Sequence, residues 1–238
     1  MDTLFNHDQP EKLSGEPTIT LIVCTYKRPE SLEKLICAIA QDPEPPDEVI
    51  IVDGSPDTNT QEMLECLTIQ KDTIRYHRVG AEDRGLTRQR NVGITLASSD
   101  IIAFLDDDTI PNLGYFSELR KCFSRHSDAI GAGGLIVNQV PWQRCTNPTV
   151  REPKKQYWNG WERKKSFRWR IRERLGLHSP LPPGWMPEFG HGMPADYPPV
   201  GEDHHVEFVM GGASSWRREV FRTNQFSRYF EGYGLYED

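Results

Sequence analysis

From residue 18 to about residue 137, short apolar runs alternate with longer segments whose apolar residues recur at helical spacing. TITLIVCTY, EVIIVDGS and DIIAFL are each apolar at consecutive positions and end in turn-forming or polar residues. Strands of this kind are covered on both faces, which is the condition of a mostly parallel sheet between layers of helix. TIRYHRV reads as a further strand and AIGAGGLIV as a glycine-rich one. Between them, PESLEKLICAIA carries Leu32, Leu35, Ile36 and Ile39 on one helical face, with Pro29 suited to the first turn. DTNTQEMLECL, GLTRQRNVGITLA and NLGYFSELRKCF also read as helices, with Gly93 a weak point in the second of these. The fold class expected is α/β, a Rossmann-like, mostly parallel sheet flanked by helices.

The rest of the chain departs from this rhythm. Residues 1–17 are polar and read as a mobile tail, ahead of a first unit at 18–140. Residues 141–205 are rich in proline and aromatics and poor in periodicity, as in an insertion or flap. Residues 206–238 resume with VEFVMGGASSWRREVF, read as a strand, a Gly-rich turn and a short helix.

Net charge is −7, so general nucleic-acid binding has no electrostatic footprint. The charge is uneven: residues 151–174 hold ten Lys/Arg against three Glu, a local +7 that leaves −14 on the remainder. In SFRWRIRERLG, Phe167, Trp169 and Ile171 alternate with Arg168, Arg170 and Arg172, and a strand and a helix fit equally well. The segment 161–175 suits peripheral contact with an anionic membrane, or a flap whose arginines meet the acidic remainder of the protein. No run approaches the ~18 apolar residues of a membrane span, and the N-terminus lacks a signal-peptide pattern. The five cysteines are scattered without metal-site or disulfide spacing, which suits a reducing compartment. The location expected is the cytoplasm, with the inner face of the membrane as a further option.

In open α/β sheets, ligands bind beyond the carboxyl ends of the strands. Three polar clusters fall there: Thr25, Tyr26, Lys27 and Arg28; Asp53, Gly54 and Ser55; and Asp106, Asp107 and Asp108. Adjacent carboxylates at a strand end repel, and a hard divalent cation shared with substrate phosphates is the usual remedy. In an extended or turn segment Asp106 and Asp108 would point the same way. Arg84 and Arg88, four apart, would share a face toward phosphates. Taken singly, each cluster also reads as an ordinary solvated turn or helix face. The run Glu202, Asp203, His204, His205 lacks metal-ligand spacing and reads as surface.

These stretches, in this order and at this spacing, resemble family 2 glycosyltransferases of the GT-A, nucleotide-diphospho-sugar transferase fold. The match is carried by TLIVCTYKRPESLEKLI, EVIIVDGSPD, DRGLTRQRNVGITLASSDIIAFLDDDTIP, FVMGGASSWRREVF and FEGYGLYED. The resemblance implies inverting, metal-dependent transfer of a sugar from a nucleoside-diphosphate donor, usually UDP-linked, to a sugar, lipid-linked or other hydroxyl acceptor. It assigns Thr25, Tyr26, Arg28 and Asp53 to the nucleotide base. It assigns Arg84, Arg88, Arg90 and Asn91 to the ribose and diphosphate, with Asp106 and Asp107 on the nucleotide. Asp106 and Asp108 become the DXD pair that holds Mg2+ or Mn2+. Gly211, Gly212, Trp216, Arg217 and Glu237 fall on the acceptor side, and Asp238 becomes the general base. A single aspartate precedes Gly54 where the family often has two. Asp238 is the last residue, and family members continue past this motif with a helix, so the expectation is a truncated piece of a longer enzyme. The rival readings are a nucleotidyltransferase that makes a nucleotide sugar, disfavoured by the absence of glycine in CTYKRPES, and a non-catalytic carbohydrate-binding protein of the same fold.

Overall fold

The computed structural model describes residues 15–68, 72–137, 141–146, 151–177, 181–188 and 192–229. The first unit begins with strand β1 (Ile19–Thr25), helix α1 (Pro29–Ala40), β2 (Glu48–Asp53), α2 (Asn59–Cys66) and β3 (Ile74–Arg78). After a 3-10 turn at Ala81–Asp83 come α3 (Leu86–Leu96), β4 (Ile101–Leu105), α4 (Tyr115–Arg125) and the short β5 (Gly131–Gly133). The insertion supplies β6 (Gln143–Arg144), β7 (Lys155–Trp158), β8 (Trp161–Lys164) and α5 (Phe167–Arg174), and the chain returns with β9 (Ala213–Arg217).

Six strands form the main sheet in the order β3-β2-β1-β4-β9-β5. β1 to β4 run parallel to one another, and β9 runs antiparallel between β4 and β5. The apolar runs are buried on both faces because their alternate residues belong to two cores. Ile19, Leu21, Val23, Val49, Ile51, Ile101 and Leu105 meet α1 and α4 through Leu32, Leu35, Ile36, Phe116 and Phe123. Ile22, Ile50, Val52, Ile102 and Phe104 face α3 and Phe226 on the opposite side. Each of these side chains contributes roughly 1.5–3 kcal/mol relative to exposure, and only the edge strand β3, with Arg75, His77 and Arg78 exposed, departs from this burial among the parallel strands.

Gly93, read from sequence as a weak point in its helix, is a packing requirement. A β-carbon there would lie 2.5 Å from Cγ2 of Ile22, so α3 lies against β1 at a distance that only glycine permits.

The return of the chain differs from expectation. The strand is not the apolar VEFVM but the following ASSWR, which reaches the sheet after the glycine pair. Ser214 and Ser215 are fully buried there. Pairing with β4 and β5 outweighs the weak strand propensity of this segment. The glycine-rich AIGAGGLIV contributes only three strand residues.

Within 141–205, the described residues form a separate three-stranded antiparallel sheet, β6-β8-β7, and helix α5. The ambiguous SFRWRIRERLG is thus a helix, capped by the Ser166 hydroxyl accepting from the Trp169 amide. The Glu202–His205 run helps hold this part to α4: Asp203 accepts from Arg125 and lies 3.0 Å from the His126 ring nitrogen, and His205 meets His126 edge-on. His204 stacks on Tyr197 with ring centroids 3.9 Å apart. Among the described residues no helix is long and apolar enough to cross a membrane.

Candidate active site

Thr25, Asp53 and Arg78 end β1, β2 and β3 in register, and Leu105 ends β4 beside them, so all the predicted clusters share one edge of the sheet. That edge is held together by hydrogen bonds reaching across the strand ends.

Asp107 is the buried member of the triple aspartate. It accepts from the Thr25 hydroxyl at 2.8 Å and from Arg28 at 2.7 Å, which ties the loop after β1 to the loop after β4. Burial holds its carboxyl above the ordinary value; Thr25 and Arg28 oppose that shift, while Asp108 and Asp106 add to it. Arg28 also donates to Asp108 at 2.8 Å, and both carboxylates reinforce its charge. The side chains of Asp106 and Asp108 are about half exposed, at 44% and 56%.

The expectation that Asp106 and Asp108 point the same way is not met. The segment turns, with the Thr109 amide donating to the Asp106 carbonyl. Asp106 consequently lies 3.6 Å from Arg90 while Asp108 pairs with Arg28. The Asp106 amide donates to the Gly212 carbonyl, and a β-carbon at Gly212 would lie 2.9 Å from an Asp106 carboxylate oxygen. Gly212 thus sits at the aspartate turn, where a side chain would crowd the carboxylate, with Gly211 beside it.

Arg84 and Arg88 do not share a face, because Arg84 precedes α3 across Gly85. Arg84 donates to the Gly54 carbonyl and lies 5.7 Å from the Tyr26 ring, while Arg88 donates to the Glu82 carbonyl. The Tyr26 ring is 44% exposed and has the Lys27 ammonium at 5.4 Å, so an accessible aromatic face stands between two cations. This is a surface on which a flat, anionic ligand can stack.

Two nucleotide assignments meet side chains already engaged. Asp53 is fully buried; one carboxylate oxygen accepts from the Ser55 amide and the other from the Tyr76 hydroxyl, whose pKa burial and Asp53 raise. Asn91 is buried, with its side-chain amide both donating to and accepting from the backbone of Phe226. It anchors the C-terminal segment rather than facing the strand edge. Trp216 and Arg217, expected on the acceptor side, lie at the other end of β9, opposite Ile102 and Ile101. Arg217 donates to the carbonyls of Ala129, Phe123 and His126 at the end of α4. The cause is direction: β9 runs away from the edge that its glycine pair occupies. Glu237 and Asp238 lie outside the described residues.

Sequence reasoning missed Gln89 and undervalued Arg90. Gln89 is buried and donates to the Thr25 and Val52 carbonyls, joining β1 to β2 beneath the site. Arg90 is buried between Phe104 and Phe226, with ring centroids 5.4 and 5.2 Å away, and donates to the Gly211 carbonyl. A signal was available: α3 buries Thr87, Gln89, Arg90 and Asn91, a polar stripe where a sheet-covering helix normally has an apolar one.

Fold and site together define a Rossmann-like α/β protein, a mostly parallel sheet between helices, with its charged groups gathered at the carboxyl edge of the parallel strands. The chain belongs to glycosyl transferase family 2, whose family model matches residues 20–181. It is 30% identical over 122 residues to the glucosyl-dolichyl phosphate glucuronosyltransferase of Haloferax volcanii, covering 50% of this chain and 38% of that protein. It is 30% identical over 92 residues to the GalNAc(5)-diNAcBac-PP-undecaprenol beta-1,3-glucosyltransferase of Campylobacter jejuni, covering 39% and 30%. The solved structure of S. aureus TarS 1-349 in complex with UDP-GlcNAc aligns with a TM-score of 0.42 and 17% identity, over 68% of this chain and 48% of that one. The chain therefore spans well under half the length of these curated relatives.

Proposed function

We propose that this chain transfers a sugar, with inversion, from a nucleoside-diphosphate donor to an acceptor hydroxyl, and that UDP is the nucleotide. The observation that carries the reading is the convergence of the accessible Tyr26 ring, Arg28, Arg84, Asp106 and Asp108 on one sheet edge. The base stacks on Tyr26, and the diphosphate lies toward the aspartate turn, within reach of the cations around it. Arg90, pinned by the Gly211 carbonyl, fixes Asp106. Membership of family 2 supports sugar transfer as the reaction class.

The carboxylates at the turn are the kind of donor a hard divalent cation takes, though here they face separate arginines, Arg90 and Arg28, and would have to turn to a shared ion. Asp106 and Asp108 offer half-exposed carboxylate oxygens, and one or two such ligands plus phosphate and water are what Mg2+ requires. These two residues would hold Mg2+ or Mn2+, which supplies charge neutralisation for the departing diphosphate. The acceptor, a lipid-linked or free sugar hydroxyl, enters beside Gly211 and Gly212. Its oxygen bonds to the anomeric carbon as the bond from that carbon to the phosphate oxygen breaks. The proton passes to the Asp238 carboxylate, and the electron pair leaves on the nucleoside diphosphate.

Calorimetric titration with UDP, with and without Mn2+, tests the donor half of this reading. Binding strengthened by the metal is the expected result. No binding of any nucleoside diphosphate at millimolar concentration would refute it.

A further inference from the structure

Helix α5 buries none of its residues, and its apolar side chains Phe167 and Ile171 do not face its own fold. Its inward residues are Trp169 and Glu173, four apart, which line a cavity of about 290 Å³ with Lys155, Tyr157 and Met193. Its apolar residues face outward. Phe167 is 71% exposed, Ile171 42% and Leu175 64%. Leu175 lies just past the helix end but continues its turn by donating to the Ile171 carbonyl. At 100° per residue these three side chains occupy an arc of about 80°. Arg168 and Arg172 border that arc on one side and Arg170 and Arg174 on the other. Arg168, Arg170 and Arg174 are exposed, and among the described residues none is paired with a carboxylate. The one acid of the helix, Glu173, is taken by Lys165.

We propose that this face docks on an anionic lipid surface, with Phe167, Ile171 and Leu175 entering the headgroup boundary and the flanking arginines meeting lipid phosphates. The charge argues for an anionic partner: α5 holds four arginines against one glutamate, within the stretch 151–174 that carries a local +7 in a protein whose net charge is −7. The shape argues for lipid over protein. A convex strip of three side chains covers a few hundred Å² at most, below the ~800 Å² per partner of a stable protein interface. A bilayer needs no pocket, and arginines on both sides of an apolar stripe can hold it flat by extending their heads outward. The docked helix lies parallel to the surface and leaves the inward face, with Trp169 and its cavity, unobstructed.

The test is co-sedimentation of the chain with vesicles of phosphatidylcholine alone or with 30% phosphatidylserine. Salt-sensitive binding to the anionic vesicles only is expected. Phe167→Ser, Ile171→Ser and Leu175→Ser together should weaken it at least tenfold, and each of Arg168→Gln, Arg170→Gln and Arg174→Gln by about fivefold. Hydrogen exchange on the unmutated chain, with and without vesicles, gives a readout independent of any variant's folding; protection should centre on residues 167–175. Absence of binding, binding unchanged in the triple serine variant, or protection centred elsewhere would overturn the proposal. So would a dimer of the chain that the triple variant dissolves, which would assign the face to a second copy.

Discussion

Gly93→Ala is the substitution whose outcome the tertiary structure reverses. In an isolated helix, alanine is favoured over glycine by about 1 kcal/mol. Here the added methyl would lie 2.5, 3.1 and 3.3 Å from Cγ2, Cδ1 and Cγ1 of Ile22. Carbon atoms rest at ~3.5–4.0 Å, so α3 must lift from β1 by about 1 Å or Ile22 must leave its rotamer. Ile22 is 1% exposed between Ile50 and Phe104 and has nowhere to go. Overpacking of this kind costs about 1–3 kcal/mol; set against the propensity gain, the net effect is a loss of about 0–2 kcal/mol, not the gain of an isolated helix. Urea unfolding should show a lower midpoint at unchanged slope. Because Gln89 and Arg90 ride on the same helix, UDP affinity should fall as well. Ile22→Ala removes the obstructing atoms, so the double variant should lose less stability than the two single losses added, by at least about 1 kcal/mol. A Gly93→Ala protein that unfolds at higher urea than its parent, or full additivity with Ile22→Ala, would refute the packing argument.

Asp108→Asn should remove the metal dependence of UDP binding in calorimetry while leaving the unfolding midpoint within about 0.5 kcal/mol of the parent, since the residue is exposed. Asp107→Asn tests the buried carboxyl: its folded pKa is raised, so its contribution to stability is present below the unfolded pKa and lost as pH rises through the folded one. The stability of Asp107→Asn relative to the parent should therefore be greater at pH 7 than at pH 4; the opposite trend in melting temperature would place Thr25 and Arg28 above burial in setting that pKa. Asp238→Asn should abolish sugar transfer and leave nucleotide binding within about twofold, because base and donor site act at different atoms; undiminished turnover would move the base elsewhere.

The alternation of apolar runs and helical segments was enough to define the fold class, because strands with no polar face have one stable setting, between two helical layers. The position of Asp106–Asp108 after such a run was enough to place them at the carboxyl edge. Which carboxylate faces which partner could not be read from the order of residues. The turn after Asp106 sends that side chain toward Arg90, and the two loops meet around Asp107 only once β1 and β4 are paired. The same holds for Asn91 and Gln89, whose amides answer to backbone groups 135 and 64 residues away in sequence. Trp216 and Arg217 were misplaced because the direction of β9 is a property of the sheet and not of ASSWR. The sequence by itself determined the layers and the edge at which the charged groups gather, since burial and strand period act locally. Only the tertiary structure decided which of those groups are spent on holding the edge together and which are left to face a substrate, since hydrogen bonds between loops depend on distances that folding creates.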